Sequence, residues 1–180
     1  LYATARGIYE AYINGRKAGA EWYAPGISQY NKTHYYQSYA IDSLLRKGTN
    51  QIQVELAEGW WMGYVTYSMT NWNFFGGQLA FRSRLVVRYA DGDSTVLCTR
   101  PQEWEVAVDG PVQYASMFMG QVTDARRKHK AWMKAEEISL DGHLPTEGGG
   151  TTPKIDDYSA HRMMQAKSAV QAYTTLKAQR

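Results

Sequence analysis

The residues with the clearest chemical potential are the aromatic side chains between positions 60 and 75. Flat Trp, Tyr and Phe rings stack on the apolar side of a sugar ring, and an Asn amide can bond to its hydroxyl groups. The alternative is that rings such as Trp60 and Phe75 belong to the core or pack on a neighbouring domain. The candidate carbohydrate-binding residues are Trp61, Tyr64, Trp72, Asn73 and Phe74.

The acidic residues do not form a recognisable catalytic pair. Glycoside hydrolysis requires two carboxyl groups flanking the scissile bond. Glu10 and Glu55 fall on the polar faces of predicted strands, and Asp91 and Asp93 fall in a predicted turn. We therefore assign no catalytic residue in this chain. The run 124–126 (Asp-Ala-Arg) predicts a buried ion pair that fixes a turn.

The metal-binding potential of the sequence is weak. The four histidines are scattered and lack the spacing of a zinc site. Calcium needs six to eight oxygen ligands, and the pattern of an EF-hand is missing. A calcium site built from dispersed loops stays open, and its oxygen donors are Glu21, Asp91, Asp93, Asn71 and Asn73. We assign no metal ligand and expect no cofactor.

Composition and charge restrict the class of protein. The 180 residues are 44% apolar, which is typical of a globular chain. A net charge of +3 is too small to indicate a nucleic-acid partner, and the basic run 126–130 is interpreted as a solvated face. No apolar run is long enough to cross a membrane. Cys98 is the only cysteine, so an internal disulfide is impossible, and we expect a buried structural thiol.

The elements that must position these residues are strands. Alternation closed by Asn14-Gly15 predicts a hairpin with a type I′ turn. Polar Arg82, Ser83 and Arg84 within one strand indicate a sheet with an exposed face. One short helical turn is predicted at 42–48, with Asp42 as its cap. The predicted strands are 1–13, 34–41, 51–57, 79–89, 94–99 and 104–108.

Regular strands separated by Gly, Asn and Asp turns predict an all-β antiparallel sandwich with one short helix. The pattern changes after residue 126. Residues 130–138 are predicted to be helical, 142–153 to be a loop, and 163–180 to be a departing strand or a linker. We divide the chain into a β-sandwich at 1–126 and an irregular extension at 127–180, which belongs to the same domain.

A series of motifs in a fixed order covers about residues 1 to 126. Taken together they resemble the accessory β-sandwich that precedes the catalytic domain in bacterial α-L-rhamnosidases of glycoside hydrolase family 78. The motifs that carry the resemblance are 5–15, 24–26 with Tyr30, 36–39, 44–50, 59–63, 89–92, 103–104, 110–111, and Gly120 with 124–126.

This resemblance implies a jelly-roll, galactose-binding-like sandwich that is not itself catalytic. The parent enzyme would remove terminal α-L-rhamnose with inversion, using a carboxylate pair in a downstream (α/α)6 barrel. The chain would then be a scaffold packed on that barrel, and export to the periplasm or the outside would fit such an enzyme. The alternative is a module that binds rhamnose-type sugars, with or without calcium. A third, weaker hypothesis is that the fragment is an enzyme.

Several positions depart from the family pattern. Ala20 stands where an acidic residue is usual, Ile27 where Trp is usual, and Met62 where a basic residue is common. In the segment 120–126, Gln121 and Thr123 stand where the family pattern has Glu and Tyr. These losses favour the scaffold over sugar binding.

Overall fold

The computed structural model describes residues 1–30, 32–66, 68 and 72–138, together with the backbone of 162–165 and 170–171. Almost all of its regular structure is strand, which confirms the all-β prediction. Short 3-10 helices occupy Asp42–Leu44 and Pro101–Glu103. The strands are β1 (Tyr2–Arg6), β2 (Ile8–Ile13), β3 (Arg16–Lys17), β4 (Glu21–Trp22), β5 (Thr33–Ser38), β6 (Ile52–Ala57), β7 (Ala80–Arg88), β8 (Ser94–Cys98), β9 (Glu105–Val106), β10 (Val112–Ser116), β11 (Gly120–Thr123), β12 (Met133–Lys134), β13 (Arg162–Gln165) and β14 (Val170–Gln171).

Two sheets form the sandwich. The larger has the strand order β13-β5-β1-β7-β8, and the smaller has the order β3-β2-β6. Pairs β10-β11, β9-β12 and β4-β14 are small separate ribbons. The pairing is antiparallel except between β13 and β5, which run parallel.

The core lies between the inner faces of these two sheets. Ala3 and Ala5 of β1 and Leu85 of β7 face inward from the larger sheet. Tyr9, Ala11 and Ile13 of β2 face inward from the smaller one. Alternation along β1, β2 and β7 decides which of their side chains are buried. Leu56 of β6 lies opposite Tyr9 on the same side of the smaller sheet, but it remains 36% exposed.

Gly7 separates two strands that the sequence predicted as one. Residues 1–13 do not form a single strand, because the chain changes sheets between β1 and β2. Gly7 has φ +108°, a conformation that L residues rarely adopt. A Cβ at this position would lie 2.6 Å from the carbonyl oxygen of Ala57 and 2.5 Å from Cδ2 of Leu79. The change of sheet at position 7 therefore requires glycine for two reasons, the positive φ angle and the lack of room for a Cβ atom.

The hairpin predicted at Asn14-Gly15 is confirmed. Both residues have positive φ, 52° and 79°, and Ile13 pairs with Arg16 across the turn. The Asn14 side chain also donates to the carbonyl oxygen of Leu44 at 2.9 Å and accepts from the amide of Gln51 at 3.0 Å. The hairpin is thereby attached to the end of the first 3-10 helix and to the residue that precedes β6.

A group of buried polar side chains lies inside the core. The Tyr9 hydroxyl is 2.8 Å from Oε1 of Gln37 and 3.0 Å from the Tyr39 hydroxyl. Gln37 in turn donates to the carbonyl oxygen of Pro25 at 3.1 Å. Burial raises the pKa of Tyr9 well above its usual range and raises the pKa of Tyr39 to about 12. Both hydroxyl groups are held neutral.

This arrangement predicts a loss of stability in alkaline solution. An unfolded tyrosine ionises near pH 10, so above that pH the unfolded chain releases protons that the folded chain retains. The free energy of unfolding should fall as the pH rises from about 10 towards 12, by about 1.4 kcal/mol per pH unit for each such tyrosine. Urea unfolding at several pH values measures this slope, and Tyr39→Phe should reduce it. An equal slope in wild type and variant would contradict the role given to Tyr39.

Other local predictions need correction. Residues 130–138 are not helical and contain only β12, which pairs with β9. The helical turn at 42–48 ends after Leu44, and its N-cap is Ile41 with no side-chain cap, so Asp42 does not cap it. Strands β10 and β11 were not predicted from the sequence. The predicted loop 142–153 lies outside the described residues.

One thiol and one ion pair that were predicted to be buried are not in the core. Cys98 is exposed because it lies on the outer face of edge strand β8, opposite Arg84. Asp124 and Arg126 do form an ion pair, with a 2.9 Å distance between Oδ1 and Nε, but the Arg126 side chain is 90% exposed. That pair fixes a turn at the surface rather than in the core. Among the described residues, no helix has the length and hydropathy needed to cross a membrane.

Candidate functional site

Three loop segments form an apolar cleft that we call the aromatic cleft. The first contains the cis Ala24–Pro25 peptide bond; the second includes residues 60–66 and the third residues 72–78. The cleft has a volume of about 260 Å³. The described side chains that line it are Ile27, Trp60, Val65, Phe74 and Phe75, and none of these carries a charge or an amide group.

Trp61 is the internal anchor of these loops. It is only 2% exposed, and its indole nitrogen donates to the carbonyl oxygen of Gln78 at 3.1 Å. The Tyr30 ring packs edge-on against it at 5.4 Å, and the Arg6 guanidinium lies 4.7 Å from its centroid. A Cβ on Gly76 would lie 2.4 Å from Cζ2 of the indole, so glycine is required for this close approach.

Asn73 connects the two described parts of the aromatic segment, residues 60–66 and residues 72–75. Its side-chain oxygen accepts from the backbone amide of Gly63 at 2.8 Å, and its backbone amide donates to the carbonyl oxygen of Gly63 at 2.9 Å. Asn73 adopts φ +51°, which Asn tolerates better than most residues. Alongside this connection, Tyr64 and Trp72 form a β-bridge, and their rings lie 4.7 Å apart.

The structure divides the predicted sugar-binding residues into two groups. Trp61 is buried and the Asn73 oxygen is engaged, so both hold the loops in place. Tyr64 and Phe74 are half-buried, and Trp72 is 37% exposed. These three are the predicted residues that present surface to solvent.

The sequence interpretation missed residues that complete the surface. Ile27 is 57% exposed and lines the cleft, and Tyr23 is 41% exposed and packs on Trp60 with a 6.4 Å centroid separation. Both flank the Pro25-Gly26 turn. The sequence contained one sign of this surface: Ile27, an apolar residue, directly follows the turn dipeptide Pro25-Gly26, where polar residues are common.

Glu58 lies beneath the aromatic segment, next to the position that a Cβ on Gly63 would occupy. Burial raises the pKa of its carboxyl group, and hydrogen bonds from Tyr114 and Ser116 partly oppose this effect. Among the described residues, the Oε2 atom of Glu58 is buried with no hydrogen-bond partner. This carboxyl group links the aromatic segment to β10.

The described donors considered for calcium lie on separate elements of the chain. Glu21 lies in β4, Asp91 and Asp93 lie in the turn between β7 and β8, and the Asn73 oxygen already accepts from Gly63. Asn71 lies outside the described residues. Within the described ranges, no three His, Cys, Asp or Glu side chains form a group that could hold a metal.

Comparison with known proteins identifies the family. A family model described as the alpha-L-rhamnosidase N-terminal domain matches residues 1–145. The chain belongs to this family. An alpha-L-rhamnosidase from Streptomyces avermitilis is 39% identical over 132 residues, which is 73% of this chain and 12% of the relative. One from Formosa agariphila is 26% identical over 132 residues, with 73% and 14% covered.

Solved structures give the same result. The crystal structure of Streptomyces avermitilis alpha-L-rhamnosidase complexed with L-rhamnose matches with a TM-score of 0.71 and 34% identity, covering 80% of this chain and 14% of that chain. Native Aspergillus terreus rhamnosidase matches with a TM-score of 0.71 and 31% identity, covering 77% and 17%. This domain therefore corresponds to a small part of much longer relatives.

Proposed function

We propose that this domain is a non-catalytic accessory module of an α-L-rhamnosidase, and that it packs against the (α/α)6 catalytic barrel through the aromatic cleft. The observation that carries the proposal is the lining of the cleft, which among the described residues includes no charged or amide side chain. A sugar site needs a few converging polar groups that fix the hydroxyls. Burial of apolar surface against another domain needs none.

The exposed residues around the cleft support the same function. Ile27 and Tyr23 are 57% and 41% exposed and continue the apolar surface beyond the cleft. Clustered apolar surface of this kind marks an interaction site. The buried Trp61 and the engaged Asn73 give the loops a fixed shape, which lowers the entropic cost of docking.

A single substitution tests the docking surface. Ile27→Asp places a charge at the rim of the cleft without removing any buried group. In the barrel-containing polypeptide it should weaken the domain contact and lower the barrel's thermal midpoint, because a carboxylate is costly to bury. Val108→Asp is the matched control, since Val108 is 76% exposed and does not line the cleft. Equal effects of the two variants would refute docking through the cleft.

The second candidate function is binding of a rhamnose-type sugar, and the exposed Tyr64–Trp72 pair favours it. Calorimetric titration with L-rhamnose, with and without calcium, decides between the two. The scaffold proposal predicts no heat of binding in either case. Saturable binding that Trp72→Ala abolishes would establish the sugar-binding alternative instead.

A further inference from the structure

The outer face of the larger sheet carries a line of arginines. Arg82, Arg84 and Arg88 lie on the outer side of β7, with Val86 between the last two, and all three arginine side chains are exposed. At about 3.4 Å per residue the line extends over about 20 Å. Tyr2 of β1 lies directly opposite Arg84 and is 44% exposed. We call these four residues the arginine face.

The charge on this face is not neutralised within the described part of the chain. Strands β1, β5, β7 and β8 contain no Asp or Glu. The ion pairs found among the described residues involve Lys17, Arg100, Arg126 and Lys134, and none of the three arginines of the face. The nearest acidic residues in sequence, Asp91 and Asp93, lie in the turn beyond Arg88.

We propose that the arginine face binds an anionic polysaccharide, with the guanidinium groups of Arg82, Arg84 and Arg88 contacting acidic groups along one polymer chain. A guanidinium fork pairs bidentately with carboxylate or sulfate oxygens. A polymer that repeats its charge along an extended chain matches a straight line of cations. The arginine face shares no residue with the lining of the aromatic cleft.

The tyrosines indicate a sugar polymer rather than an acidic polypeptide. The Tyr2 ring contacts the Tyr36 ring at a centroid distance of 6.2 Å, so an aromatic pair lies beside the line of cations. Such rings offer apolar faces to a pyranose, whereas an acidic peptide needs only the charges. A small net charge of +3 also argues against nucleic acid as the anion.

The experiment uses the protein and a homogeneous oligogalacturonate at about 0.15 M ionic strength. The triple variant R82Q/R84Q/R88Q should bind roughly tenfold or more weakly than wild type. The charge-matched control R127Q/K128Q/K130Q removes three exposed positive charges elsewhere and should bind like wild type. Dextran sulfate, tested in parallel, determines whether sulfate replaces carboxylate.

Tyr2→Ala separates a sugar ligand from an acidic protein. It should weaken oligogalacturonate binding while leaving polyglutamate binding unchanged. The proposal is overturned if wild type binds neither anionic saccharide, or if the two triple variants lose affinity equally. Polyglutamate binding as tight as oligogalacturonate binding, with no effect of Tyr2→Ala, would assign the face to an acidic protein. None of these outcomes depends on the aromatic cleft.

Discussion

Replacing Trp61 with alanine should lower the free energy of unfolding by about 3–5 kcal/mol. The substitution leaves a cavity beneath the aromatic cleft, because the indole is 2% exposed and contacts Tyr30 and Arg6. It also removes the donor to the carbonyl oxygen of Gln78. Urea unfolding followed by circular dichroism measures the loss.

Trp132→Ala is the matched control for this variant. Trp132 is 56% exposed, so its removal should change stability by no more than about 0.5 kcal/mol. Should the two tryptophan variants prove equally stable, Trp61 would not be the anchor of the loops, and its earlier interpretation as a ligand platform would regain support.

Gly7→Ala is the second change with a large expected effect, a loss of about 2–5 kcal/mol. The new Cβ would meet the backbone of Ala57, which cannot move without disturbing β6, and the residue would retain φ +108°. Thermal unfolding measures the loss as a lowered midpoint.

Gly15→Ala separates the two causes. Gly15 has φ +79°, and nothing lies within 4 Å of a Cβ built there, so only the conformational cost of about 1–2 kcal/mol remains. The difference between the variants isolates the steric term at Gly7. A Gly7→Ala variant as stable as Gly15→Ala would show that the chain around position 7 relaxes.

The division of residues 1–13 illustrates what a hydrophobic pattern can predict. Ala3, Ala5, Tyr9, Ala11 and Ile13 are all buried, so the alternation continues in phase through Gly7. The pattern gives the inward side of both strands correctly. It cannot reveal that the chain changes sheets, because both inner faces border the same core.

The turn at Asn14-Gly15 was predictable since its dihedral requirement is local. The exposure of Cys98 could not be predicted from the sequence, because it depends on β8 being an edge strand of the larger sheet. The predicted helix at 130–138 failed for a similar reason. Pairing of β12 with β9 joins residues far apart in sequence, and a long-range contact of this kind leaves no periodic signal.

The candidate site was predictable in position but not in role. The aromatic-rich residues 60–75 include four of the side chains that line the cleft, which are Trp60, Val65, Phe74 and Phe75. Composition alone did not distinguish buried Trp61 from exposed Trp72, since both lie among similar neighbours. Ile27 reaches the cleft through a separate turn, so only the folded chain brings it there.

The most direct test of the account is hydroxyl-radical footprinting of the aromatic cleft. Ile27, Trp60 and Phe74 would be compared between the isolated chain and a polypeptide that also contains the catalytic barrel, with Trp132 as an exposed reference. The account predicts strong labelling of these residues in the isolated chain and protection when the barrel is present. Equal labelling in both, with Trp132 unchanged, would contradict docking through the cleft.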